Sequence, residues 1–192
     1  DKLLCKKNEE EINASVNENL FEKPFILITM HRREKFGEEF KSVLNTIKDI
    51  ALQRPNYNFI YPVHLNPNVQ TPVNEILKGV NNIKLIPPQD YFKFIYLMSK
   101  CLFIMTDSGG VQEECFVFEK PVMVLRDVTE RNEAIKAGYA FLVSSDDKLI
   151  KDKFFEIEKK LSEGYNYFNC ENPFGNGKSA EIINDILVKN LL

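Results

Sequence analysis

Six short apolar runs punctuate the chain: FILIT (25–29), NFIY (58–61), IKLI (83–86), CLFIMT (101–106), VMVL (122–125) and YAFLV (139–143). They are rich in β-branched and aromatic residues and lack the in–out alternation of a strand with one wet face. Strands of this kind are buried on both faces, which calls for helices above and below and for parallel pairing through crossovers. The segments between them supply those helices. Phe40, Val43, Leu44, Ile47, Ile50 and Ala51 recur at three- and four-residue spacing and mark one apolar face, and Pro55 stops that helix. VNEIL (73–77), DYFKFIYLMSK (90–100), ERNEAIKAG (130–138) and the glycine-closed LIKDKFFEIEKKLSEG (149–164) read as further helices, with a last one from about Ser179 to the end. The expected fold is α/β: a Rossmann-like, doubly wound parallel sheet.

With 192 residues, 44% of them hydrophobic, the chain suits one such domain or a little more. A net charge of -3 and the lack of any Lys/Arg run argue against nucleic acid as a partner. Apolar runs of five or six residues fall far short of a membrane span, so no membrane partner is expected. Four cysteines, at 5, 101, 115 and 170, show no CxxC spacing and read as reduced thiols of a cytoplasmic protein. Two histidines far apart, with no cysteine near either, make a metal site improbable, and nothing calls for a cofactor. Residues 1–24 are polar, lack an apolar period and read as a linker ending at Pro24. The opening DKLLCKKNEEEIN has no signal-peptide core and starts with Asp, so the chain is expected to be processed or a piece of something larger.

In such sheets ligands bind beyond the carboxyl ends of the strands, so the strand-to-helix loops are where chemistry is expected. After the first strand, MHRREKFG (30–37) gathers His31, Arg32 and Arg33. Adjacent arginines at a helix start oppose the helix dipole, a local cost that points to an anionic ligand. After the second strand, YPVHLNPNV (61–69) fixes His64 and Asn66 between two prolines, either for a ligand or as a rigid surface turn. After the fourth, TDSGGVQEE (106–114) places Asp107, Ser108, Gly109 and Gly110 ahead of a helix. The glycines allow close approach of backbone to a phosphate, and Ser108 is suited to cap the helix or donate its hydroxyl. Glu114, one turn further on, is suited to sugar hydroxyls, whereas Glu113 reads as solvated helix face. After the fifth, RDVTERNE (126–133) adds Arg126 and Arg131, with Glu130 and Glu133 as their plausible partners. Together these loops read as a pocket for a phosphorylated small molecule, a nucleotide derivative above all.

HRRE-x-F-G, YPVHLNPNV, TDSGGVQEE, KPV-x-V-x-RD-x-TER and NP-x-G-x-G, in this order and at about this spacing, resemble the non-hydrolysing bacterial UDP-N-acetylglucosamine 2-epimerases from about Phe25 onward. The resemblance implies the C-terminal half of a two-domain GT-B-type fold. Residues 1–24 would then link to an N-terminal domain, 25–192 would bind the UDP-sugar, and the last helix (about 179–192) would pack back toward the first domain. It also implies interconversion of UDP-GlcNAc and UDP-ManNAc by elimination and re-addition of UDP, feeding cell-surface polysaccharide synthesis in a full-length homodimer. By motif, His31 sits beside the diphosphate and Arg131 stabilises the departing UDP. Ser108, Gly109 and Gly110 bind phosphate, Glu114 holds the ribose, and Gln89 and Phe94 lie at the uracil. Arg32 and His64 contribute to a second, activating UDP-GlcNAc site. The acid/base carboxylates belong to the N-terminal domain, so this chain alone is expected to bind UDP weakly and turn over nothing. A GT-B glycosyltransferase domain or a non-catalytic UDP-sugar-binding module would use the same nucleotide-binding logic; YPVHLNPNV argues against the transferase.

Overall fold

The computed structural model describes residues 7, 9–14, 19–31 and 37–191. Six strands, β1 (Phe25–Thr29), β2 (Asn58–Pro62), β3 (Ile83–Ile86), β4 (Ile104–Thr106), β5 (Val122–Val124) and β6 (Ala140–Leu142), form one sheet in the order 3-2-1-4-5-6. Every neighbouring pair is parallel. The helices α1 (Glu38–Gln53), α2 (Pro67–Leu77), α3 (Tyr91–Lys100), α4 (Gly109–Glu114), α5 (Asn132–Lys136) and α6 (Asp147–Ser162) connect and follow the strands, and α7 (Ser179–Leu191) ends the described chain. The doubly wound fold expected from the apolar runs is the fold observed.

Burial on both faces explains the strand composition. Residues of β1, β2, β4 and β5 such as Ile26, Leu27, Phe59, Ile60, Ile104 and Met123 are fully buried. Above one face, α1 packs against α2 and α6; α3 packs against β1 and a 3-10 turn at Cys115–Phe118. An aromatic cluster joins sheet to helix. The Phe154 ring of α6 stacks on Phe59 of β2 at 5.9 Å and meets Phe103, just ahead of β4, edge-to-face at 5.1 Å. Cys101 and Cys115 are buried free thiols. Burial pushes Cys101 up to about 12 and Cys115 upward as well, so both stay protonated and unreactive.

Element ends differ from the sequence reading. Of CLFIMT only Ile104–Thr106 is strand. Cys101 instead closes α3, its N–H donating to the Leu97 carbonyl at 3.0 Å. The amino-terminal segment is more than a polar linker. Residues 9–14 are helical, and Ile12 and Leu20 join the core with no exposed surface. Asn13 Oδ1 accepts from the Leu20 N–H at 2.9 Å, and Tyr96 donates its hydroxyl to Glu9 at 2.8 Å, so the segment docks on α3. The segment buries one apolar side chain per several polar ones, too sparse for a period in the sequence.

Truncating Phe154 to Ala removes the ring that sheet and α6 share. The expected cost is about 3–5 kcal/mol of stability, read as a lower urea midpoint with unchanged slope.

Candidate functional site

The strand order reverses between β1 and β4, and the carboxyl ends of the strands at such a reversal are where open parallel sheets bind ligands. The structure ties these two strand ends together. Asp107, just past β4, is buried, and its Oδ2 accepts the His31 N–H at 2.9 Å. Its Oδ1 lies 3.4 Å from His31 Nδ1. The carboxylate on the Nδ1 side of the ring leaves Nε2 on its far side. The His31 side chain is 45% exposed, so that outer edge faces solvent. Tyr61 adds a third strand to the clasp by donating its hydroxyl to the Met30 carbonyl at 2.9 Å. Burial, and secondarily the Asp107 carboxylate, push that hydroxyl well above its ordinary value and keep it a donor.

His64 stacks on His31 with ring centroids 6.1 Å apart and planes at 18°. Its Nδ1 accepts from the Asn66 N–H at 3.1 Å, while Asn66 caps α2 by accepting from the Asn68 N–H at 3.0 Å. The stiff loop thus aims a second imidazole at the first. Arg32 lies outside the described residues.

The glycine loop follows Asp107. Ser108 occupies the N-cap position of α4 without capping through its side chain. Its N–H donates instead to Thr106 Oγ1 at 2.9 Å. That leaves the Ser108 hydroxyl and the first-turn N–H groups of Gly109 and Gly110, which no carbonyl one turn back receives. Beside Gly109 lies the Arg131 guanidinium: a Cβ there would stand 3.9 Å from both its Cζ and Nη2. A Cβ on Gly110 would stand 4.0 Å from Glu114 Oε1. Ser108, Gly109, Gly110, Glu114 and Arg131 therefore share one site, and His31 borders it through its neighbour Asp107.

Two residues of α4 hold Arg131. Glu113 Oε1 accepts from Arg131 Nε in a short ion pair. Gln112, fully buried, accepts the Thr129 hydroxyl at 2.7 Å, and Thr129 Oγ1 accepts the Arg131 N–H at 3.1 Å. The Gln112 amide also donates to the Ser108 carbonyl at 3.1 Å. Glu113 is thus not the solvated helix face the sequence suggested. Glu130 meets Arg131 Nη1 only at 3.8 Å. Arg126 is buried, and its Nη1 has no hydrogen-bond partner among the described residues. Its charge adds positive potential along this edge.

Gln89 and Phe94 stand apart. Gln89 lies beyond β3 and donates its amide to the Pro87 carbonyl at 2.6 Å; Phe94, in the first turn of α3, packs partly buried against the core. From β3 to β4 is three strand spacings, about 14 Å at ~4.8 Å each, a span suited to a ligand of several linked groups. A cavity of about 820 Å³ opens instead at the amino edge, lined by Lys23, Lys48, Lys78 and Lys84 among others. It lies far from these loops.

Fold and edge together define a Rossmann-like α/β chain whose glycine loop, His31 and Arg131 gather where its strand order reverses. The chain belongs to the UDP-N-acetylglucosamine 2-epimerase family, whose profile it matches over residues 1–188. A UDP-N-acetylglucosamine 2-epimerase of Campylobacter jejuni is 46% identical over 182 residues, 91% of this chain and 45% of that protein. The crystal structure of the Neisseria meningitidis UDP-GlcNAc 2-epimerase bound to UDP-GlcNAc superposes with a TM-score of 0.86 at 41% identity, over 97% of this chain and 49% of that one. The S. aureus MnaA–UDP co-structure gives 0.78 at 35%, over 90% and 47%. The chain spans about half the length of these relatives and matches their carboxyl-terminal half.

Burial, and then repulsion from Glu113, push the Glu114 carboxyl above its ordinary value. A raised folded-state value favours the protonated group. Its stabilising contribution is full below the unfolded value and is lost as pH rises through the folded one, so ionised Glu114 weakens the fold at neutral pH. Glu114→Gln should therefore raise the melting temperature at pH 7. The gain should vanish as pH falls below the ordinary carboxylate value of 4.5, as thermal melts across pH would show.

Proposed function

We propose that this chain is the UDP-binding half of a UDP-N-acetylglucosamine 2-epimerase, which interconverts UDP-GlcNAc and UDP-ManNAc. The observation that carries the reading is the Arg131 guanidinium beside Gly109 with Glu114 beside Gly110, in a member of this family. In the reaction the C2 proton is removed, the C1–O bond breaks and its electron pair leaves with UDP, giving a 2-acetamidoglucal. Re-addition of UDP and return of a proton to the opposite face of C2 invert that centre. Charge grows on the diphosphate as C1–O breaks, and Arg131 with the Gly109 and Gly110 N–H groups is placed to stabilise it. The Ser108 hydroxyl donates to the same phosphates. Glu114 accepts from the ribose hydroxyls, where a carboxylate does not face phosphate repulsion. His31, turned outward by Asp107, donates to the diphosphate, while Gln89 and Phe94 take the uracil across the sheet. His64 serves a second, activating UDP-GlcNAc site.

The proton-transferring carboxylates belong to the other half of the enzyme, which closes the cleft. The exposed apolar side chains of α7, with Ile182, Ile183 and Ile186 each more than half exposed, suit contact with that domain. The whole enzyme acts in the cytoplasm as a homodimer, supplying precursors for surface polysaccharide. This half alone binds UDP weakly and turns over nothing.

In D₂O the full-length protein should incorporate deuterium at C2 of UDP-GlcNAc and form UDP-ManNAc; no exchange would sink the reading. Arg131→Ala should lower kcat about 100- to 1000-fold, the loss usual for one charge-stabilising donor. Glu114→Ala should weaken UDP binding about 10- to 100-fold, for hydrogen bonds to a charged group worth about 1.5–3 kcal/mol.

A further inference from the structure

We propose that Glu113 is a positioning residue for Arg131, setting the guanidinium beside the glycine loop with its Nη edge presented to the diphosphate. The inference rests on the reading above and assigns a role to the other member of the glutamate pair. Arginine offers five N–H donors in a rigid planar fork, and which edge faces a ligand depends on what holds the rest. Glu113 takes Nε, on the stem side of the fork. Nη2 is the guanidinium nitrogen beside Gly109, and among the described residues Nη1 meets Glu130 at 3.8 Å. The donors pointing at the loop are thus the ones Glu113 leaves unused.

The backbone of Arg131 is fixed from the same short helix. Gln112 reaches it through Thr129 and grips the Ser108 carbonyl with its amide. The cation and the loop it adjoins are therefore set by adjacent residues of α4 and keep one mutual geometry. Stability does not explain the ion pair. Its side chains are 33% and 39% exposed, and partly exposed pairs contribute little to folding. Electrostatics does not explain it either, since a carboxylate beside a diphosphate site opposes anion binding. What the carboxylate supplies is direction, which matters most when charge develops along one line as C1–O breaks.

The test uses the full-length enzyme. Glu113→Ala should lower kcat about 10- to 100-fold, the effect usual for losing a group that orients a functional side chain. The UDP dissociation constant should stay unchanged or fall, because a repelling charge has gone. Glu113→Gln keeps an acceptor oxygen without charge and should recover most of the rate. In an Arg131→Ala background, Glu113→Ala should add no further loss. Wild-type kcat in Glu113→Ala would overturn the proposal. So would a parallel loss of UDP affinity and melting temperature, a Gln variant no better than Ala, or an independent loss in the Arg131→Ala background. A wild-type enzyme without C2 exchange would show at the outset that the epimerase reading itself fails, and this proposal with it.

Discussion

The structure depends on the pairing of β1 with β4. These are the strands at which the winding of the sheet reverses, and the loops carrying His31, His64, the glycines and Arg131 hang from one of them or from a neighbour. Parallel ladders form slanted hydrogen bonds that run out at the strand ends. Here the ladder continues into the loops: the Asp107 N–H donates to the Thr29 carbonyl at 3.2 Å, and the Asp107 carboxylate receives His31. The acid is buried at that edge, while the His31 side chain beside it is 45% exposed.

Charge on this edge is layered. Asp107 and Glu113 are acids that touch cations or imidazole, and the groups turned outward are N–H donors: His31, Gly109, Gly110 and Arg131. Buried Arg126 adds positive potential from below. Glu114 is the exception, and it costs stability at neutral pH for that reason. A carboxylate placed where burial and a like charge both oppose its ionisation is the kind of locally unfavourable choice that marks a ligand site.

Much of this was legible in the sequence because the relevant signals are local. Six unalternating apolar runs yield six parallel strands, the inner four of them almost wholly buried, since hydrophobic pattern reports burial. The glycine loop and the arginines drew attention to this edge through residues that are costly elsewhere. Element ends were less legible: Cys101–Phe103 are as apolar as β4, but the close of α3 claims Cys101. Ile12 and Leu20 gave no periodic signal and are core all the same. Glu113 and Gln112 looked like ordinary helix residues, because a side chain's partner across two loops leaves no trace in spacing.

The sequence by itself determined the class of fold, the edge of the sheet that carries the site and the residue types gathered there. Those follow from hydrophobic periodicity, backbone freedom at glycine and the placement of charge, which act over a few neighbouring residues. Only the tertiary structure decided which acid meets which cation: Asp107 with His31, Glu113 with Arg131, and Gln112 bridging Ser108 to Thr129. Those pairings join loops far apart in the chain, and they exist only once the parallel crossovers have brought the carboxyl ends of β1, β4 and β5 side by side.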